Sequence, residues 1–144
     1  TIALEIEWNN KDPFFDRDLE NFKRLHAEGA ISIGIIVTRG SSLQDQMLHV
    51  VRTWAERNSV TNFDDLSVLG LNPTTRQRSE VLRRVERAIN PVPFIEAWSD
   101  HFVGDKFGAA TTHWAKLMDR VRRGVGNPCP LILIGLPASL VKLD

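Results

Sequence analysis

Glu5 and Glu7 lie two residues apart in a run of alternating character, Ile2-Ala3-Leu4-Glu5-Ile6-Glu7-Trp8. On an extended strand, side chains at i and i+2 point the same way. The two carboxylates are therefore predicted to leave one face, about 6.5–7 Å apart along the chain, with Ile2, Leu4, Ile6 and Trp8 on the other. Like charges this close are costly where protein shields them, and a divalent cation with oxygen ligands relieves the cost. A cation held there polarises a phosphate and lowers the pKa of a bound water, so the chemistry open to the pair is metal-assisted hydrolysis. The same pattern describes an ordinary solvated strand face, which by pattern alone is the commoner case.

Other residues suit an anionic ligand. Lys11 follows the strand by a short turn, within reach of a phosphate, although an exposed turn lysine fits as well. Arg39 leaves the C-terminal end of a buried strand, a common place for sites in open α/β sheets, and equally a place for a surface arginine before Gly40. Lys106, Thr111, Thr112 and His113 surround a glycine-containing loop that enters a helix, where N–H groups and hydroxyls suit phosphate; capping alone also explains the threonines. Asp16, Asp18 and Glu20 read better as an acidic helix start than as metal ligands. The four histidines have no metal-ligand spacing, and the four tryptophans read as core.

These residues need elements to hold them. Residues 2–8 are predicted as a strand. A helix follows, opened by Asp12-Pro13 or nearer Asp16, with Phe15, Leu19, Phe22 and Leu25 at helical spacing and Gly29 as its stop. Residues 31–38 are apolar on both faces, as in a central parallel strand. Strand, helix and strand make a βαβ unit. A second helix begins at Ser42, burying Leu43, Met47, Val50, Val51 and Trp54. Residues 59–73 read as loop. Thr74 or Thr75 opens an arginine-rich helix with Val81, Leu82, Val85, Ala88 and Ile89 inward. Residues 92–108 read as irregular. Thr111 or Thr112 caps a helix carrying Trp114, Leu117, Met118 and Val121, stopped by Gly124 and Gly126. Leu131–Leu136 is a last buried strand closed by Pro137. The fold class is α/β.

Composition bounds the function. The 144 residues are 42% hydrophobic and 25% charged, with a net charge of zero. That length supports one domain with a real core, and no apolar run approaches the ~20 residues of a membrane helix. One cysteine, Cys129, excludes an internal disulfide framework and a cysteine-rich zinc site, and fits a cytoplasmic setting. Charge is unevenly placed. Residues 1–20 carry six acids against Lys11 and Arg17, whereas residues 74–88 and 116–124 are each net basic. An acidic centre with basic flanks suits a nuclease, and arginine-rich helices are also often just solvated faces. No Walker A loop, dinucleotide-binding glycine motif or defensible Ser–His–Asp set is present.

The block Glu5-Ile6-Glu7-Trp8-Asn9-Asn10-Lys11-Asp12, then Phe14-Phe15-Asp16-Arg17-Asp18-Leu19 and residues 31–39, resembles the catalytic core of type II restriction endonucleases. The likeness is to the BglII/BamHI branch of the PD-(D/E)XK nuclease superfamily, and residues 105–114 through 131 share it. The resemblance implies a restriction-endonuclease-like mixed sheet flanked by helices. It implies Mg2+-dependent hydrolysis of double-stranded DNA at a specific, palindromic site by a homodimer, leaving a 5′-phosphate. It places Glu5 as a metal ligand with the carbonyl of Ile6, and Glu7 where many members carry the lysine that positions the attacking water. It also implies a metal-binding Asp upstream of Glu5. Only four residues precede Glu5, so that Asp and the first strands are expected before Thr1. Residues 1–144 are then expected to form one N-terminally truncated catalytic domain that should not cleave DNA unaided. The other readings are a non-catalytic DNA-binding or assembly module that keeps the fold, and a repair nuclease of the same superfamily.

Overall fold

The computed structural model describes residues 1–143. The chain divides into two compact units. One is built from Thr1–Asp45 and Phe107–Val141, the other from Gln46–Lys106 with Lys142 and Leu143.

The first unit is a three-stranded parallel sheet, β1 (Ile2–Glu7), β2 (Ile33–Arg39) and β3 (Leu131–Leu136), in that spatial order. The sequence's βαβ unit is present: β1, helix α1 (Phe14–Ala27), then β2 as the central strand. Register decides which side chains share a face. Ala3 pairs with Gly34, Glu5 with Ile36 and Glu7 with Thr38; on β3 the partners of Gly34, Ile36 and Thr38 are Leu131, Leu133 and Gly135. The core lies on this face. Phe15, Leu19 and Phe22 of α1 pack with Ile31, Ile36, Leu117 and Cys129, and Ala3, Leu131 and Leu133 close around them. Gly34 is required here, because an added Cβ would stand 2.3 Å from the ring of Phe22. The opposite face is apolar yet open: Ile2, Leu4, Ile6, Ile132 and Ile134 are all exposed. Alternation in β1 was legible in sequence, but the glutamate-bearing face is the one α1 covers.

Helix α1 starts one residue after Pro13 and ends before Gly29, whose φ of 71° supplies the left-handed stop. Asp12 does not cap it; its carboxylate pairs instead with Lys116 at 2.5 Å and Arg120 at 3.7 Å. Both cations lie on helix α6 (Trp114–Arg122), which also ties to α1 through Arg120 and Asp16 at 3.0 Å. His113 rather than Thr111 or Thr112 holds the N-cap position of α6, without a side-chain cap. Both threonines are instead buried.

The second unit corrects two expectations. Residues 59–73 contain helix α3 (Phe63–Val68), nucleated by a capping box in which Asn62 and Asp65 bond each other's backbone N–H groups. Residues 92–108 contain helix α5 (Phe94–Phe107), whose last residue falls in the first unit. Its apolar residues are spread around the axis instead of forming one stripe, so helical periodicity is weak. Helix α2 (Ser41–Arg57) begins in the first unit, where Leu43 is buried, and its second-unit part buries Met47, Val51 and Ala55. Helix α4 (Thr75–Val85) is capped by Thr74 with Gln77 and buries Val81. Leu82 and Ile89, expected inward, are exposed, and Ala88 is exposed too. Among the described residues, no helix is long and apolar enough to cross a membrane.

Candidate active site

Glu5 and Glu7 share the helix-covered face of β1, as their spacing requires. Their environments differ. Glu5 is exposed. Glu7 is 3% exposed, lying where the start of α1 crosses the C-terminal end of the strand. It sits in a polar cluster, not in the apolar core. Asn10 Nδ2 donates to Glu7 Oε2 at 2.6 Å, and Thr38 Oγ1 donates to the backbone carbonyl of Glu7 at 2.7 Å. The Arg17 guanidinium lies 3.7 Å from Glu7 Oε1 and donates through Nε and Nη2 to Asp18 Oδ1 at 3.0 and 2.9 Å.

Asp18 is 1% exposed, and its Oδ2 has no hydrogen-bond partner among the described residues. Sequence reasoning left it in an acidic first turn. The signal that it faces inward was present: Asp18 is three residues after Phe15 and four before Phe22, on the buried stripe. Burial pushes the Glu7 carboxyl up to about 7, and the neighbouring Asp18 adds to the rise; the Asn10 hydrogen bond and Arg17 act against it.

Residues on the 107–113 segment join this cluster by its backbone. Thr112 N donates to the carbonyl of Asn10 at 2.7 Å, and Lys11 and Thr111 form an isolated antiparallel bridge. Lys11 is exposed beside the cluster. Arg39, fully buried, lies on the face opposite Thr38. It donates to Thr111 Oγ1 at 2.6 Å and to the carbonyls of Thr112 and Phe107 at 2.7 and 3.3 Å. Its guanidinium also lies 5.0 Å from the Phe107 ring centroid. Burial alone lowers the Arg39 pKa to about 10. Arg39, Thr111 and Thr112 thus form a closed knot away from solvent. His113 is half-buried, and burial lowers its pKa. Lys106, exposed and paired with Asp105 at 3.4 Å, belongs to the second unit.

The basic segments are largely spent on internal pairing. Lys116 and Arg120 hold Asp12 and Asp16, Arg123 holds Asp119, Arg83 holds Glu80 and Arg84 holds Asp100. Among the described residues, no group of three His, Cys, Asp or Glu side chains gathers as a metal cluster. The oxygen donors on β1 are the Glu5 and Glu7 carboxylates with the intervening carbonyl of Ile6. One or two carboxylates, with water and phosphate completing the shell, is a mode magnesium uses.

The first unit is thus a parallel α/β sheet with a carboxylate pair near the C-terminal end of β1 and the buried carboxylate of Asp18 beside it. The family model for the restriction endonucleases BglII and BglIII matches residues 1–136, and the chain belongs to that family of DNA-cleaving enzymes. No curated protein and no solved structure matches the chain.

Proposed function

We propose that this protein is a type II restriction endonuclease that cuts both strands of a specific, palindromic duplex site with Mg2+. The observation that carries the reading is the projection of Glu5 and Glu7 from one face of β1 in a chain of this family. Glu5 is exposed, and its carboxyl group suits binding the cation with the carbonyl of Ile6. Glu7, set deeper and held by Asn10, suits holding the attacking water. Magnesium, when bound, supplies polarisation of the phosphate and a more acidic water. Lys11 is the proposed phosphate contact beside the cluster, with His113 proposed to extend that surface and the buried Arg39, Thr111 and Thr112 to shape it from beneath; Lys106, in the second unit, is proposed as a separate phosphate contact. A homodimer places one such centre on each antiparallel strand, because a protein two-fold matches the two-fold of the duplex.

The second reading, a non-catalytic DNA-binding or assembly module, is favoured by the observation that no group of three His, Cys, Asp or Glu side chains among the described residues is arranged to hold a metal. Plasmid cleavage by the full-length protein, with Mg2+ and with EDTA, separates the two, and cut-site mapping reads the sequence recognised. Glu5→Ala is expected to abolish cleavage while gel-shift affinity persists, since an anion that repels phosphate is removed together with the cation's ligand. Cleavage that survives in Glu5→Ala overturns the assignment.

A further inference from the structure

Carboxylates at Glu5, Glu7 and the buried Asp18 repel a phosphodiester, so a cation fixed beside them eases its approach. Two cations of α6 are committed elsewhere: Lys116 pairs with Asp12, and Arg120 pairs with Asp12, Asp16 and Asp119. Lys11 sits on an exposed turn. Arg17 differs from all of these. Its side chain is 54% exposed, yet three contacts fix it: Nε and Nη2 on Asp18 Oδ1, Nη2 at 3.7 Å from Glu7 Oε1, and the guanidinium carbon 4.3 Å from the Phe14 ring centroid. Its Nη1 makes no hydrogen bond to any described residue. The result is a planar cation held beside the glutamates with one edge toward solvent.

We propose that Arg17 contacts the DNA phosphate in the active site, presenting the Nη1 edge of a guanidinium already oriented by Asp18, Glu7 and Phe14. This rests on the nuclease reading and deepens it by naming the cation that admits the substrate's anion. A guanidinium matches phosphate geometry with paired N–H groups, and a pre-oriented one loses less rotamer freedom on binding than a free side chain. Asp18 then serves through Arg17: its buried carboxylate sets the guanidinium plane. The competing role for Arg17 is purely structural, as the counter-charge of buried Asp18. The two roles separate when Asp18 is neutralised.

The test uses the full-length protein with two readouts: Mg2+-dependent cleavage of supercoiled plasmid, and the salt dependence of binding to a fluorescein-labelled duplex. Arg17→Gln is expected to slow cleavage about 100-fold, as for loss of one donor to developing transition-state charge. It is also expected to lower the magnitude of the slope of log K against log salt by about 0.9, the share of one phosphate contact. Arg17→Lys should recover part of both. Smaller but definite Arg17→Gln losses should persist in an Asp18→Asn background, where the amide oxygen can still accept from the guanidinium and no buried charge needs neutralising. That background also carries the test if Arg17→Gln alone fails to fold. Losses that vanish in the Asp18→Asn background, or an unchanged salt slope, overturn the phosphate contact. A wild-type protein that leaves the plasmid intact, while Arg17→Gln still reduces the slope, counts against the nuclease reading and supports the contact.

Discussion

Asn10 links Glu7 to Thr112: its Nδ2 donates to the Glu7 carboxylate at 2.6 Å, and its backbone carbonyl accepts from Thr112 N at 2.7 Å. The turn after β1 is therefore stitched to the segment entering α6, and the Glu7 side chain is fixed by that stitch. Asn10→Ala removes the donor to a buried carboxylate while leaving the backbone bond in place. A hydrogen bond to a charged group contributes about 1.5–3 kcal/mol. Urea melts at pH 8 should show a loss of that order. At pH 4, where Glu7 is protonated in both states, the loss should shrink. An equal loss at both pH values would falsify a charge-assisted bond.

Glu7 itself should make stability depend on pH. Its folded pKa is raised from 4.5 to about 7, chiefly by burial. Between these values the native state binds more protons than the unfolded state, so stability is greatest below about 4.5 and falls as pH rises through about 7. The full cost at alkaline pH is on the order of 3 kcal/mol. Glu7→Gln mimics the protonated side chain, so it should melt above wild type at pH 8 in metal-free buffer. The two should converge near pH 4. Wild type more stable than Glu7→Gln at pH 8 without metal would mean that Arg17 and Asn10 together outweigh the desolvation.

Phe22 and Gly34 test the covered face of the sheet. A Cβ at position 34 would stand 2.3 Å from Phe22 Cδ2, and the ring is 2% exposed with little room to turn. Gly34→Ala should cost about 1–3 kcal/mol by overpacking. Gly34→Ala with Phe22→Leu should recover part of it, because the smaller side chain vacates the clash. Chemical denaturation of the four proteins forms the cycle, and strict additivity would show that the two positions do not meet.

What the sequence revealed follows from how local each signal is. The three strands are short apolar or alternating runs between turns, so period and length identified them, and Gly29 and Gly124 marked helix ends by the left-handed backbone they adopt. Which face of β1 is covered depends on α1, and alternation cannot choose between faces, so the Glu5–Glu7 pair was legible while the burial of Glu7 was not. Helix α5 was missed because Phe94, Ile95, Trp98, Phe102 and Val103 wrap the axis and leave no single stripe. Arg39 illustrates the other limit. A residue at a strand's C-terminal end is placed by its neighbours, and those neighbours, Phe107 to Thr112, are some seventy residues away in the chain.

Arg39 is the last case, and it divides structure from binding. The guanidinium is 0% exposed, with hydrogen bonds to Thr111 Oγ1 and to the carbonyls of Thr112 and Phe107. Burial lowers its pKa to about 10, so it stays charged at neutral pH without a salt-bridge carboxylate among the described residues. Arg39→Met fills similar volume but takes the buried Thr112 carbonyl's donor away and one of the two partners of Thr111 Oγ1, whereas the Phe107 carbonyl still accepts from Gln44 Nε2 at 2.8 Å. The orphaned buried acceptor costs about 1–3 kcal/mol, offset in part by relief of a desolvated charge, so the net expectation is destabilisation within that range. Arg39→Lys supplies one compact ammonium for a planar fork and should recover only part of that loss. Because the knot anchors Thr112, and Thr112 anchors Asn10, the damage should reach Glu7 as well as the fold. Hydrogen exchange at the Thr112 amide reads that link directly, and its protection should fall in Arg39→Met. The salt slope of DNA binding by the folded fraction should stay that of wild type, since a fully buried cation neutralises no phosphate. A slope reduced by the share of one contact would show instead that Arg39 reaches the DNA when the complex forms.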